Sequence, residues 1–349
     1  MNNIKAAENL QLGTLSHCRE GGASGESISR EMMCSIIDNM VPMPANKVAV
    51  IGHRADLAMT RHEVLIYDTS NNTWKVQCHW TMPPGGDRED TDFIFVQRTH
   101  DILMAIGNHM SFGINIAKMV TSDEQYPVQA ERYRHRNPKF HIGDHHDSMV
   151  ATPDDRMFFF GLHDGVYKYY PKTLSWVKDS GSGRSEMCRG AACIALDNDH
   201  ILITGYIGMD NMLGFRKKCT IYRLSCRRFL RTGDMNLWRK NHAACLMPNG
   251  EVFVCGGLER GVDSVGECEV YNPKTKTWRT LGGKLIKRDK HSCMAISPTL
   301  VLIVGGCDLV NNTMATDECE IYDLQTESAV RVSNIPRLCF RPVMMQLYE

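Results

Sequence analysis

The sequence predicts an all-β protein built from a repeated four-stranded antiparallel sheet, and three observations support this. One pattern of aromatic residues returns about every fifty residues. Each repeat contains short apolar runs of strand length, separated by turn-forming residues. Almost no segment has the apolar spacing of an amphipathic helix. Repeats of this length are typical of ring-shaped or elongated arrays, because one unit alone cannot bury its apolar faces.

The repeat is clearest where an aromatic-rich strand leads into a polar turn and then a tryptophan. The tryptophan follows a tyrosine by seven residues in three places: Tyr67 and Trp74, Tyr169 and Trp176, and Tyr271 and Trp278. Two weaker copies keep this spacing, with Phe229 after Tyr222 and Ala329 after Tyr322. From Tyr169 onward the tyrosines are 53, 49 and 51 residues apart. The first gap is 102 residues, or two periods, which predicts a worn copy near Lys118.

Each repeat also has a fixed internal order of strands. A second strand ends in glycine in residues 48–52, 102–107, 157–161, 200–205, 252–257 and 300–306. A shorter first strand precedes it in residues 32–37, 92–96, 147–150, 191–196, 242–247 and 291–296. A short fourth strand follows the tryptophan position, as in residues 279–281. Blades of four strands around one axis fit this order.

Six blades are predicted, because six units fit between Arg30 and Pro336. Seven is the alternative, since residues 341–348 have the pattern of one further first strand. Residues 30–349 are expected to form a single propeller. Residues 1–29 are expected to be a polar segment that contributes at most a strand that closes the ring.

Composition excludes several functional classes. The 349 residues are 43% hydrophobic and 23% charged, which is the range of globular proteins. Lysine plus arginine and aspartate plus glutamate both number 40, a balance that argues against a general nucleic-acid or membrane-surface binder. No apolar run suits a membrane span or a secretory signal. The expected location is the cytoplasm, with the nucleus as the alternative.

The 14 cysteines are interpreted as packing residues. Four are assigned to one place in the first strand: Cys34, Cys193, Cys245 and Cys293. Three others stand three residues before the tyrosine: Cys219, Cys268 and Cys319. Free cysteine is among the most buried residue types, and first and third strands of one sheet lie too far apart for a disulfide. A redox-sensing thiol at Cys78, Cys226 or Cys339 is the alternative.

These residues resemble the kelch repeat, in which an apolar run ending in two glycines is followed by a tyrosine and a tryptophan. Residues 252–257 with Tyr271 and Trp278 have the whole pattern. Residues 300–306 with Tyr322 have both glycines but no tryptophan, and the other copies have a single glycine. The resemblance extends over about residues 30–349, and residues 92–129 are the most divergent copy. It implies a galactose-oxidase-like kelch β-propeller, without the copper oxidase site because no Tyr-His dipeptide is present.

Metal and cofactor chemistry is not predicted. The densest set of ligand-type side chains is His135, His141, Asp144, His145, His146 and Asp147. Imidazole and carboxylate groups bind zinc or copper, so a metal site there is the alternative interpretation. Pro138 and Gly143 place this set in a loop, and a polar rim is favoured. No cofactor is expected.

The predicted binding site is a ring of basic residues in the loops that lead from one blade into the next. Its members are Arg30, Arg88, Arg184, Arg189, Trp238, Arg239, Lys240, Arg288, Lys290 and Arg341. Trp238 is included with the basic residues as a surface anchor. Equivalent loops of radially related blades converge at one mouth of the channel. Arginine suits bidentate contact with carboxylate or phosphate. The alternative is that these side chains pair with local acids such as Glu186 and Asp289.

The predicted function is therefore non-enzymatic protein binding. The resemblance implies a kelch propeller, expected to be monomeric, that binds an acidic or phosphorylated segment of a partner as a scaffold or substrate-recognition protein. No nucleic-acid or membrane partner is expected, and residues 1–29 are too short for a BTB or F-box module. The alternative is a small-molecule enzyme similar to kelch-type sialic-acid mutarotases. It would use His242, His291 and Glu31 near the first strands, although no catalytic motif supports it.

Overall fold

The chain folds into β-strands joined by turns in a computed structural model. The structure describes residues 47–54, 61–81, 94–97, 102–106, 110–115, 133–134, 148–161, 165–170, 175–179, 190–205, 217–259, 263–307, 315–336 and 339–347. These residues all lie in the compact unit Val41–Glu349. Among them, no helix has the length and apolar character needed to cross a bilayer.

The strands are short, as expected for propeller blades. In chain order they are β1 (Lys47–Arg54), β2 (Arg61–Asp68), β3 (Thr73–Thr81), β4 (Ile94–Gln97), β5 (Ile102–Ile106), β6 (Met110–Asn115), β7 (Tyr133–Arg134), β8 (Ser148–Ala151), β9 (Met157–Gly161), β10 (Gly165–Tyr170), β11 (Ser175–Lys178), β12 (Ala192–Ala195), β13 (His200–Thr204), β14 (Cys219–Arg223), β15 (Arg228–Arg231), β16 (Ala243–Leu246), β17 (Val252–Cys255), β18 (Leu258–Glu259), β19 (Asp263–Ser264), β20 (Cys268–Asn272), β21 (Thr277–Thr280), β22 (Ser292–Ala295), β23 (Leu300–Val304), β24 (Cys319–Asp323), β25 (Ser328–Val332) and β26 (Cys339–Leu347).

Four-stranded antiparallel sheets are the building unit, which confirms the predicted fold class. Five of them use strands that follow one another along the chain: β4 to β7, β8 to β11, β12 to β15, β16 with β17, β20 and β21, and β22 to β25. A further four-stranded sheet has the order β26-β1-β2-β3. The loop between β17 and β20 carries a small hairpin of β18 and β19.

The predicted count of six consecutive blades needs a correction. The structure has five blades of consecutive strands, because the sheet that contains β1 takes its innermost strand from the other end of the chain. β26 pairs antiparallel with β1, for example Val48 with Gln346. The strand predicted in residues 341–348 is therefore present, whereas residues 32–37 lie outside the described residues. Within the described part of the chain there is no seventh four-stranded sheet.

The innermost strands contact one another in a closed order. β26 lies against β4, β4 against β8, β8 against β12, β12 against β16, β16 against β22, and β22 against β26. This order is a propeller arrangement. Because the last strand returns to the first sheet, the hydrogen-bonding edge of β1 is covered.

Aromatic side chains, among them Trp74, Trp176 and Trp278, pack between neighbouring sheets. Tyr271 and Trp278 of one sheet lie in a core cluster with Leu202 and Ile221 of the preceding sheet. The Trp278 indole Nε1 donates a hydrogen bond to the Gly233 carbonyl oxygen at 2.9 Å. Trp74 makes the equivalent contact with Ser333 at 2.8 Å. In these two sheets a large apolar ring and a satisfied indole N–H thus fasten the sheet to its neighbour.

One assignment made from sequence is wrong by a single residue. Cys193 pairs with Ile203 and Cys293 with Ile303, so these two cysteines are equivalent. Cys245 pairs with Phe253, the position equivalent to Leu202, and therefore points to the opposite face of its sheet. A shift of one residue reverses the face because side chains alternate along a strand. Cys245 and Cys293 consequently meet in one core cluster, together with Cys255 and Cys268.

The most divergent copy keeps its four strands but changes their spacing. Its third strand, β6, ends at Asn115, before the position near Lys118 that the period predicts. Its fourth strand, β7, contains only Tyr133 and Arg134. Lys118 lies outside the described residues. The connection between β6 and β7 is long, and this hides the copy from a search for the tyrosine–tryptophan spacing.

Candidate functional site

The predicted basic ring is described in part by the structure. Arg30, Arg88, Arg184 and Arg189 lie outside the described residues, and Arg341 is described only by its backbone in β26. The remaining members precede two neighbouring innermost strands. Trp238, Arg239 and Lys240 come before β16, and Arg288 and Lys290 come before β22. We call residues 238–242 and 287–291 the pre-strand segments.

The two pre-strand segments have the same backbone geometry. Lys240 exchanges two backbone hydrogen bonds with Leu258, at 3.1 and 2.8 Å. Asp289 makes the same pair of bonds with Cys307, at 3.1 and 2.8 Å. Both bridges tie the segment to the residues that follow the second strand of its sheet. The repeat is therefore preserved outside the sheets as well as within them.

A row of backbone hydrogen bonds links three neighbouring blades next to these segments. The Asn241 N–H donates to the Gly190 carbonyl at 2.8 Å, and the Lys290 N–H donates to the Asn241 carbonyl at 2.9 Å. All three residues have positive φ, at 70°, 55° and 52°. This left-handed backbone turns each carbonyl toward the next blade. The row fixes how the loops of successive blades are placed.

Arg239 does not reach the surface. Its side chain is 0% exposed, and Nε donates to Glu269 Oε2 at 3.0 Å. Nη1 donates to the Gly256 carbonyl at 2.9 Å. The second carboxylate oxygen of Glu269 accepts a hydrogen bond from the Asn236 N–H at 2.7 Å. A buried guanidinium is retained only with partners of this kind, so Arg239 stabilises its own blade.

Arg288 repeats this arrangement one blade further on. Nη2 donates to Glu320 Oε2 at 2.8 Å, and the two side chains are 1% and 5% exposed. Nη1 donates to the carbonyls of Gly305 and Glu318, at 3.1 and 2.6 Å. Burial raises the pKa of Glu320, and the Arg288 charge opposes that rise. The sequence predicts both arginines at an exposed rim, whereas the structure buries both between strands.

His242 and His291 occupy equivalent positions, directly before β16 and β22. His242 Nε2 lies 2.7 Å from Thr204 Oγ1 of the preceding blade. Burial, followed by the nearby Arg239 charge, lowers the pKa of His242 from 6.5 to about 3, so the ring is neutral near pH 7. His291 Nε2 lies 3.3 Å from Cys255 Sγ of its preceding blade. Each histidine thus contacts the neighbouring blade.

Glycines make room for these histidines. A Cβ atom on Gly205 would lie 2.7 Å from His242 Cε1, and one on Gly256 would lie 2.3 Å from His291 Cε1. Both glycines also have positive φ. The glycine that ends the second strand is therefore required by the histidine of the following blade.

The comparison with known protein families agrees with this geometry. Residues 239–284 match the family described as Kelch motif. The matched segment contains the buried Arg239–Glu269 pair, Gly256 and Gly257, Tyr271 and Trp278. This match and the propeller arrangement of the sheets together support a kelch-repeat propeller family. No curated protein matches the sequence significantly.

The acidic partners of the two arginines are absent from the site that the sequence predicts. They are Glu269 and Glu320, and each follows a cysteine in the third strand. The signal was present in two adjacent copies. Arg239 with His242 and Arg288 with His291 have identical spacing, and a Cys-Glu dipeptide follows each of them. An arginine and a glutamate thus recur at equivalent places in both copies, which is the signal that predicts the pairs Arg239–Glu269 and Arg288–Glu320.

Most of the described thiols are buried, whereas Cys226 is exposed and Cys193 is partly buried. The described cysteines are free, and Cys245, Cys255, Cys268 and Cys293 are buried together. Burial acts to raise the pKa of Cys255, but the Cys293 hydrogen bond and His291 outweigh it and lower the pKa to about 5. Among the described residues, no three histidine, cysteine or acidic side chains are placed to hold a metal ion. The histidine-rich segment 135–147 lies outside them.

Proposed function

We propose that this protein binds an acidic or phosphorylated segment of a partner protein at the face formed by the pre-strand segments. Kelch propellers generally mediate protein–protein interaction, and that broad role applies to this fold. The nature of the partner is our proposal. The burial of Arg239 and Arg288 leaves Trp238, Lys240 and Lys290 as the described members of the predicted ring with partly exposed side chains.

The observation that carries the proposal is the hydrogen-bonded row from Gly190 through Asn241 to Lys290. It holds loops of three blades at one rim, so that side chains in adjacent blades face the same ligand. Loops fixed on a rigid scaffold are common recognition surfaces. Arg189 immediately precedes this row, and Arg30, Arg88 and Arg184 are predicted in loops of the other blades. Their contribution stays a prediction.

We further propose that β26 closes the ring in the sheet of β1. The cyclic contacts of the innermost strands support this closure. β26 covers the inner edge of β1 with a strand from the other end of the chain. Such a ring would serve as a scaffold or as the substrate-recognition part of a larger assembly, and we expect the isolated chain to be a monomer.

The small-molecule enzyme is the weaker alternative. It requires histidines directed at a bound substrate as acid or base. His242 and His291 instead pack between blades, and the low pKa of His242 leaves it without a proton to donate near neutral pH.

A peptide array tests the proposed partner chemistry. The labelled full-length protein is applied to peptides that carry glutamate, phosphoserine or glutamine at the same positions. We expect the acidic and phosphorylated members to bind, and Lys240→Glu with Lys290→Glu to reduce this binding ~10-fold or more through two charge reversals. Lys75→Glu with Lys274→Glu makes the same charge change elsewhere and serves as control. Equal binding of the glutamine peptides would contradict the proposal.

A further inference from the structure

A second surface, distant in sequence from the pre-strand segments, has the features of a binding pocket. It is a cavity of about 270 Å³ between the sheet of β8 to β11 and the β14–β15 turn of the next sheet. We call it the Lys168 pocket. The side chains used in the argument are Arg156, Lys168, Tyr170, Val177, Lys178 and Arg227.

The pocket exists where this blade departs from the repeat. In three other sheets an aliphatic residue directly precedes the tyrosine of the repeat and packs toward the next blade. These residues are Ile221, Val270 and Ile321. In this sheet the same position holds Lys168, which pairs with Phe158 and Val177. Replacing a buried aliphatic side chain with lysine leaves the outer part of the sheet face uncovered. The departure points to a role that packing alone does not explain.

Positive charge dominates the lining. Arg156 is paired with Asp154, with Nη2 to Oδ2 at 2.7 Å, and Arg227 is paired with Asp179, with Nε to Oδ1 at 3.2 Å. Asp179 is also held by the Tyr222 hydroxyl, which donates to Oδ2 at 2.8 Å.

The two lysines of the lining differ from the arginines. In the described part of the chain, neither Lys168 nor Lys178 has an acidic partner. Two cations thus remain uncompensated beside a concave surface, where a negative ligand would be attracted.

An apolar surface adjoins these cations. Tyr170 is 42% exposed and Val177 is 49% exposed; Leu230 and Val330, which occupy the position of Val177 in two other sheets, are exposed as well. The Lys168 ammonium lies 5.2 Å from the centre of the Tyr170 ring, so the ring also helps to hold this cation. A ligand with a negative group and a neighbouring apolar group matches both features.

We propose that the Lys168 pocket binds an anionic side chain of a partner polypeptide, carboxylate or phosphate, with an adjacent apolar residue resting on Tyr170 and Val177. The volume fits one or two side chains and is smaller than most pockets for drug-sized ligands. Lys168 and Lys178 contact the anion, and Arg227, oriented by Asp179, contributes a further donor. This inference stands apart from the proposed function, because none of its residues belongs to the pre-strand segments.

The test uses three pools of randomised heptapeptides whose central residue is fixed as glutamate, phosphoserine or glutamine. Bound peptides are captured on the immobilised full-length protein and sequenced by mass spectrometry. We expect enrichment of the anionic pools, with apolar residues next to the centre, and a loss of enrichment at high salt. The relative enrichment of glutamate and phosphoserine identifies the source of the anion.

Variants connect this binding to the pocket. Lys168→Ile restores the residue type found in the other blades, so the fold is preserved, and we expect it to weaken capture ~10-fold or more because a charge-assisted contact is lost. Lys178→Gln should act in the same direction. Lys75→Gln removes an exposed lysine elsewhere and should have no effect.

Two results would overturn the proposal. One is equal capture of the glutamine pool, and the other is capture that Lys168→Ile with Lys178→Gln leaves unchanged. Lys240→Glu with Lys290→Glu separates the two proposed sites: a loss of capture only in that variant would assign the binding to the pre-strand segments.

Discussion

Arg239 and Glu269 form an ion pair of 3.0 Å in which neither side chain is exposed to solvent. The pair joins the segment before the first strand of a blade to the third strand of that blade. Arg288 and Glu320 form the same pair in the next blade, at 2.8 Å. Two adjacent blades therefore depend on a buried charge at the same place.

Removing one partner of this pair should destabilise the fold strongly. Arg239→Met leaves the Glu269 carboxylate buried without a counter-charge, which costs ~3–5 kcal/mol of the free energy of unfolding. The double variant Arg239→Met with Glu269→Leu should recover much of the loss, because no charge remains buried. Urea unfolding measures both. Arg279→Met, which breaks a surface pair with Glu327, is the control and should cost at most ~1 kcal/mol. Equal losses in Arg239→Met and Arg279→Met would contradict the structural role.

The buried His242 should make stability depend on pH. Its pKa is about 3 in the folded state and 6.5 when unperturbed, so between these values the unfolded chain binds a proton that the folded chain does not. Above pH 6.5 His242 does not reduce the free energy of unfolding. Below pH 6.5 that free energy falls by ~1.4 kcal/mol per pH unit.

Comparison with His242→Gln isolates this effect. Denaturant unfolding at pH 7, 6 and 5 should show a steeper acid loss for the natural protein than for the variant, by ~2 kcal/mol at pH 5. Parallel pH curves for the natural protein and His242→Gln would show that His242 is protonated in the folded state.

The Trp278 indole should contribute through its hydrogen bond as well as its packing. Trp278→Phe removes the N–H that binds the Gly233 carbonyl but keeps an aromatic ring. The preceding blade has a phenylalanine, Phe229, at the same position. We expect a loss of ~1–2 kcal/mol, compared with ~3–5 kcal/mol for Trp278→Ala. Thermal unfolding followed by circular dichroism distinguishes the two. Equal losses would mean that the ring itself contributes nothing beyond the hydrogen bond.

Gly256 should tolerate no side chain. Its φ is +61°, and an added Cβ would lie 2.7 Å from the Arg288 carbonyl oxygen and 2.3 Å from His291 Cε1. Gly256→Ala is therefore expected to cost ~2 kcal/mol or more through backbone strain and displacement of His291. Gly282→Ala meets only the flexible end of Glu327 and its neighbouring atoms, and φ there is ordinary, so it is the matched control. If both variants unfold at the same urea concentration, the packing of His291 on Gly256 is not needed.

Removal of β26 should open the ring. Without residues 339–349, β1 loses its antiparallel partner and the buried side chains of Met344 and Met345. We expect that unfolding is no longer cooperative. We also expect the truncated protein to associate through the exposed edge of β1 as its concentration rises, which light scattering measures. Deleting a whole strand also unfolds a protein for reasons unrelated to ring closure, so Met345→Asp in the full chain is the second variant. A monomeric truncated protein with unchanged stability would argue against ring closure by β26.

Several features of this fold are predictable from local sequence. The spacing of the tyrosines predicts the length of the repeat, and the apolar runs that end in glycine predict the second strands. Both are predictable because strand length and turn residues are local properties. The match of residues 239–284 to the kelch motif lies where all of these signals are strongest. The spacing predicts the divergent copy less well, because the long segment between β6 and β7 interrupts it.

Side-chain direction was harder to predict. Similarity of the surrounding residues predicts that Cys245 is equivalent to Cys193 and Cys293, but its pairing with Phe253 shows that it faces the other way. Register is set by contacts between strands that are distant in the repeat alignment. One residue of error is enough to exchange the two faces of a blade.

The sequence by itself determined the strand content, the order of strands within a blade and the residue types that recur, because these follow from periodicity and turn chemistry. Only the tertiary structure decided that Arg239 and Arg288 lie inside the protein, that β26 completes the sheet of β1, and that Lys168 borders a cavity. The physical reason is that burial and charge pairing depend on neighbours supplied by other blades, which no single stretch of sequence specifies.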